Sequence, residues 1–76
     1  MVGEKAYQDR VRGLLKAELK KRGLTYRDLA ERLTASGTFE SEANIANKLS
    51  RGGFSAAYFV QCLEVIGCTT LTLTVD

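Results

Sequence analysis

Residues 41–52 read S-E-A-N-I-A-N-K-L-S-R-G, from Ser41 to Gly52, and describe a short helix with a start signal, a stop signal and two unlike faces. Ser41 is an N-cap residue, Glu42 places a carboxylate in the first turn where the helix dipole favours it, and Gly52 stands where a left-handed residue ends a helix. At about 100° per residue, Ile45, Ala46 and Leu49 fall on one arc, and Asn44, Asn47 and Arg51 on the opposite one with Lys48 beside them. The apolar arc needs a core. The polar arc carries two amides and a guanidinium, the groups whose fork geometry matches adenine and guanine edges in a major groove. An ordinary solvated helix presents the same residue types, so the surrounding chain has to decide between the two readings.

Working outward, each neighbouring segment carries its own helix signals. Upstream, Thr25 opens a helix with Asp28 three residues later in a capping-box arrangement, Tyr26, Leu29, Ala30 and Leu33 share its face, and Gly37 stops it after Ser36. Before that, Glu4 to Arg22 is the longest helix, with Tyr7, Val11, Leu14, Leu15 and Leu19 as its buried stripe and Gly23 as its end. Glu18 lies on that stripe and needs a cation, for which Arg22, four residues on, is placed. Downstream, Ser55 caps a helix from Ala56 to Ile66, ended by Gly67. Its stripe of Ala56, Phe59, Leu63 and Ile66 is accompanied by a second one of Tyr58, Cys62 and Val65. Phe39, in the loop before Ser41, is expected to plug the core.

The last residues, T-T-L-T-L-T-V-D, change the period from 3.6 to 2, with Leu71, Leu73 and Val75 alternating with Thr. They read as one strand over residues 68–76, with no internal mate. Pairing with the same strand of a second copy would complete it, giving a homodimer through Tyr58, Val65, Leu71, Leu73 and Val75. The alternative is a tail that folds back along its own helices or frays. The fold expected is therefore all-α, with four to five helices and a short C-terminal β-strand, in a single domain spanning residues 1–76.

Composition bounds the chemistry. The 76 residues make one small domain near the lower size for an unaided core, which itself favours oligomerisation. At 45% hydrophobic and 26% charged the chain is globular rather than disordered. It shows neither a signal-peptide core nor a membrane-length apolar run, so a soluble cytoplasmic protein is expected. Cys62 and Cys68 are too few for a disulfide framework, and without histidine they make no zinc site; they read as small buried apolar residues. No catalytic residue, metal ligand, cofactor or small-molecule substrate is indicated, because no nucleophile–base pair or acid cluster is visible, and an enzyme is not expected. Net charge is +2, but residues 1–27 hold eight Lys/Arg against three Asp/Glu while residues 28–76 hold three against six. The basic half either steers toward phosphates or offsets a helix dipole at Lys20, Lys21 and Arg22.

The order of these helices resembles that of phage-repressor-like helix-turn-helix domains of the lambda repressor and Cro type. D-L-A-E-R-L, with Leu29 and Ala30, resembles the first helix of that motif; Ile45, S-R-G at Ser50 to Gly52, and then Phe59, Leu63, Ile66 and Gly67 resemble the recognition helix and the helix behind it. Nearly the whole chain, from L-L-K-A-E-L-K-K-R-G-L-T-Y through N-I-A-N-K-L-S-R-G-G-F-S-A-A-Y to T-T-L, is similar to a family of small bacterial domains of unknown function. The resemblance implies a fold and no particular activity. One departure from the phage pattern is the fifteen-residue step from Ala30 to Ile45, whose enlarged loop either reorients the next helix or carries Glu40 and Glu42 toward phosphates. The function expected is a sequence-specific DNA-binding module acting as a dimeric transcriptional regulator. Asn44, Asn47 and Arg51 would face base edges, while Lys48 and Thr25 or Arg27 hold phosphates. The contrasting expectation is a protein-interaction adaptor on the same fold, using Tyr58, Val65 and the final strand.

Overall fold

The computed structural model describes residues 3–73 and contains four helices, α1 (Glu4–Lys21), α2 (Tyr26–Ala35), α3 (Glu42–Arg51) and α4 (Ala56–Val65). Local chemistry sets their limits. The Thr25 hydroxyl accepts from the Asp28 N–H, and the Asp28 carboxylate accepts from the Thr25 N–H, a closed capping box. Ser41 and Ser55 cap α3 and α4 in the same way, by accepting from the N–H of Asn44 and Tyr58. At the other ends, α1, α2 and α4 finish in paired backbone bonds. Leu24 N–H donates to Leu19 and Gly23 N–H to Lys20; the same pair recurs at Leu33/Thr38 and at Leu63/Cys68. This geometry needs positive φ at Gly23, Gly37 and Gly67, which all three adopt.

The core is continuous across all four helices. Leu15 and Leu19 of α1, Leu29, Ala30 and Leu33 of α2, Ile45 and Leu49 of α3, and Cys62 and Leu63 of α4 are buried together, with Ile66 and Cys68 just beyond. α2 packs on both α3 and α4, and α1 packs on α4. Both cysteines are free thiols, and burial pushes Cys62 up to about 11, so it serves as packing rather than as a nucleophile. Leu14 and Phe59, expected at full depth, are half-buried, and Ala46 and Ala56 are exposed.

Arginines from one element also close the carbonyl ends of another. The Arg12 guanidinium donates to the Leu49 and Ser50 carbonyls at 3.3 and 3.2 Å, fastening α1 to the C-terminal turn of α3. Arg32 does the same for Val65 at the end of α4, at 3.1 Å. Glu18 is held as its spacing implied: Arg22 lies 2.5 Å away and Lys21 3.3 Å, and these hydrogen bonds keep its carboxyl below the usual range. Several of the basic side chains in the first 27 residues thus have partners within the fold, although the net positive charge of that segment is unchanged by them.

Three expectations need correction. Tyr7 does not join the buried stripe; it is exposed, with Arg10 lying 5.8 Å from its ring centroid. Phe39 is not a plug but is 82% exposed. Its neighbours explain this, because both are held from below. Thr38 N–H donates to the Leu33 carbonyl, its hydroxyl accepts from Gln61, and Glu40 is tied through its backbone to the Thr34 hydroxyl at 3.1 and 3.2 Å. With both flanks turned inward, the intervening side chain points out. Finally, no strand is present among the described residues, and 69–73 have no regular structure; Val75 lies outside the described span. A single strand has no partner in one chain, and the Leu73 carbonyl is taken instead by Arg10 at 3.1 Å.

Candidate functional site

The surface of α3 follows from its burial. Ile45 and Leu49 are fully enclosed, so the opposite arc faces solvent. Asn44, Asn47 and Arg51 are all exposed there, and none of their side-chain donors or acceptors is engaged among the described residues. The helix presenting them is fixed at both ends, by Ser41 at the start and at the finish by Gly52 (φ 74°), whose N–H donates to the Lys48 carbonyl. The Arg12 guanidinium closes the carbonyls beside it. A helix tied at both ends thus presents an open face of two amides and a guanidinium.

The other sequence-derived site residues are placed differently. The Lys48 ammonium donates to Glu40 at 2.8 Å and lies 4.5 Å from the centre of the Tyr58 ring. The Thr25 hydroxyl is engaged by Asp28. Arg27 forms an exposed pair with Glu31 at 3.6 Å, an interaction that water largely screens. The structure therefore groups Asn44, Asn47 and Arg51 on one surface, sets Lys48 on its flank in an internal bond, and leaves Thr25 and Arg27 at the start of α2.

Sequence reasoning did not anticipate the group beneath Lys48. The Glu40 side chain is only 2% exposed, although it belongs to the enlarged loop. It accepts from Lys48, from the Tyr58 hydroxyl at 2.6 Å and from the Ser41 N–H at 3.3 Å. Burial alone would raise its carboxyl, but the hydrogen bonds from Lys48 and Tyr58, the Lys48 charge and the Ser41 amide together carry it below its usual value. Burial and the bond to Glu40 push the Tyr58 phenol upward. Of the two acids expected near phosphates, Glu40 is thus turned inward and neutralised, while Glu42 remains exposed in the first turn of α3. The side-chain partners of Glu40 lie eight and eighteen residues away, beyond the reach of local spacing rules.

Beside this group, Lys48, Arg51, Phe54, Ser55 and Tyr58 line an open cleft of about 330 Å³ between the end of α3 and the start of α4. Phe54 meets Tyr58 edge-on, with ring centroids 5.9 Å apart. The residues expected at a dimer surface divide: Tyr58, Val65 and Leu71 are half-buried against the core of their own chain, whereas Leu73 is exposed.

No group of three or more His, Cys, Asp or Glu side chains among the described residues could hold a metal ion, and no helix there is long and apolar enough to cross a membrane. Fold and surface together define a small all-α domain built around α2, with one polar helix face left open. Residues 7–71 match the family described as a domain of unknown function, DUF6471, and the chain belongs to that family. No curated protein and no solved structure matches it.

Proposed function

We propose that this domain reads duplex DNA through α3 and serves as a transcriptional regulator, with α2 and α3 acting as the two helices of a helix-turn-helix. The observation that carries the reading is the open, unengaged face of Asn44, Asn47 and Arg51 on a helix whose ends and inner face are all tied down. Base recognition needs donors and acceptors that are preorganised but not already satisfied, and amide and guanidinium forks supply them in the arrangement adenine and guanine require. Arg27 supplies a phosphate contact at the start of α2 and Lys48 another through the ammonium hydrogens that Glu40 leaves free, whereas the Thr25 hydroxyl, whose hydrogen is given to Asp28, holds the cap beside them. The inward turn of Glu40 supports the same reading, because it removes one of the two carboxylates that would oppose phosphate.

The test is selection from a random duplex library followed by a salt series on the enriched sequence. A preferred site, with affinity falling steeply as salt rises, is the expected result. Absence of enrichment together with no salt-dependent binding would reject the DNA reading. It would favour a protein-interaction adaptor, for which the exposed Phe39 ring is the supporting observation.

A further inference from the structure

The exit of α4 carries a cleft of about 430 Å³ whose apolar lining is Val60, Leu63, Cys68 and Leu71, with Glu64, Thr69 and Thr70 also facing it. Val60 and Glu64 project from the same side of α4, and Val60 is 51% exposed. Two residues beyond Leu71 the chain presents the reverse shape. Leu73 is 60% exposed, and its carbonyl is fixed by the Arg10 guanidinium, so an apolar side chain stands next to a cation. Leu73 is not among the residues that line the cleft of its own chain. One chain therefore holds a largely apolar hollow containing a carboxylate and an apolar knob with a basic neighbour.

We propose that this surface binds a second copy of the chain about a two-fold axis, Leu73 of each protomer entering the Val60–Leu63–Cys68–Leu71 cleft of the other while Arg10 meets Glu64 across the interface. Charge complementarity selects this occupant. Glu64 forms no ion pair among the described residues, and the cation that would answer it sits beside the side chain that would fill the cleft. Two-fold symmetry makes such a pair of patches self-complementary, because each protomer gives one knob and receives the other. It also encloses the exposed Val60 and Leu73 side chains. Tyr58 and Cys62 have no part in this interface, since their own core and Glu40 already engage them.

A charge-swap experiment on the full chain tests the proposal without DNA and so independently of the nucleic-acid reading. Mass is followed by sedimentation across a range of concentrations for the parent, Glu64→Arg, Arg10→Glu and an equimolar mixture of the two variants, with melting curves verifying that each is folded. The parent should reach twice the chain mass. Each reversal alone should weaken association by about tenfold or more, because like charges then oppose each other twice per dimer. The mixture should recover dimer, since both contacts become opposite-charged in the heterodimer. Leu73→Asp should give a monomer with parental melting at low concentration. A parent that remains monomeric at high micromolar concentration would overturn the proposal, as would a mixture no more associated than its two components.

Discussion

Replacing Lys48 with Met should cost fold stability before it costs anything else, because Lys48 is, among the described residues, the one cation bonded to a carboxylate that is 2% exposed. Loss of one partner from a fully buried ion pair costs about 3–5 kcal/mol. Lys48 is 47% exposed, and Glu40 would keep its bonds from Tyr58 and Ser41, so both considerations reduce that figure. Protonation sets a ceiling: with an ordinary Glu value of about 4.3 and about 1.36 kcal/mol per pH unit, neutralising the carboxyl at pH 7 costs about 3.7 kcal/mol. A loss of about 1–3 kcal/mol is expected, which for a domain of this size lowers Tm by between about 4 and 24 °C. The pH dependence has a definite sign. In the parent the Glu40 carboxyl is depressed, so its stabilisation is present above the unfolded value and is lost as pH falls through the folded one. In Lys48→Met burial prevails and the carboxyl rises, so the variant is penalised above the unfolded value and relieved below it. The gap between the two melting curves should therefore be widest near neutrality, narrow as pH falls through the ordinary carboxylate range and close only once the depressed parent carboxyl is protonated as well. Far-UV circular dichroism at several pH values measures it, and Glu40→Gln in the Lys48→Met background should recover much of the loss. Curves within about 2 °C of each other at pH 7, or a gap indifferent to pH, would refute the role assigned to Lys48.

Three further outcomes follow from the same structure. Leu49→Ala, at a fully buried position, should lose about 2–5 kcal/mol in urea denaturation, and an unchanged midpoint would contradict the core assignment. Gly52→Ala combines a left-handed φ of 74° with a new Cβ 3.1 Å from the Gln8 Cβ, so it should cost at least about 1–2 kcal/mol by the same assay. Arg51→Ala, whose side chain makes no hydrogen bond or ion pair among the described residues, should leave the melting curve unchanged while losing about 1–3 kcal/mol on a preferred duplex and relaxing its specificity; equal loss on every sequence would assign Arg51 to phosphate instead.

Short-range features of this fold were readable from the chain because short-range chemistry sets them. Thr25 with Asp28, Ser41 and Ser55 mark helix starts through bonds that span three residues, and Gly23, Gly37 and Gly67 mark stops through the one conformation that glycine adopts freely. Glu18 with Arg22 is a neighbour pair on one helix face, for which spacing is sufficient. Spacing fails where tertiary packing chooses between sequence-equivalent options. Glu40 and Glu42 look alike in the chain, yet only Glu40 is drawn inward, by a hydroxyl eighteen residues away. Arg12 reaches carbonyls 37 and 38 residues away, and Phe39 faces outward because of what its neighbours bind. For the candidate site, periodicity identified the exposed arc of Asn44, Asn47 and Arg51. It set Lys48 beside that arc but could not show that its ammonium is engaged below by Glu40.

The Phe39 ring offers a spectroscopic use. The chain contains no tryptophan, so an indole introduced by Phe39→Trp would be the sole long-wavelength emitter. The ring is in water and the backbone on either side is anchored, so the exchange should leave the melting curve untouched and give emission typical of a solvated indole. Anything that settles over the loop before α3, whether duplex or protein, would shift that emission toward the blue. A ligand bound elsewhere would leave it where it began.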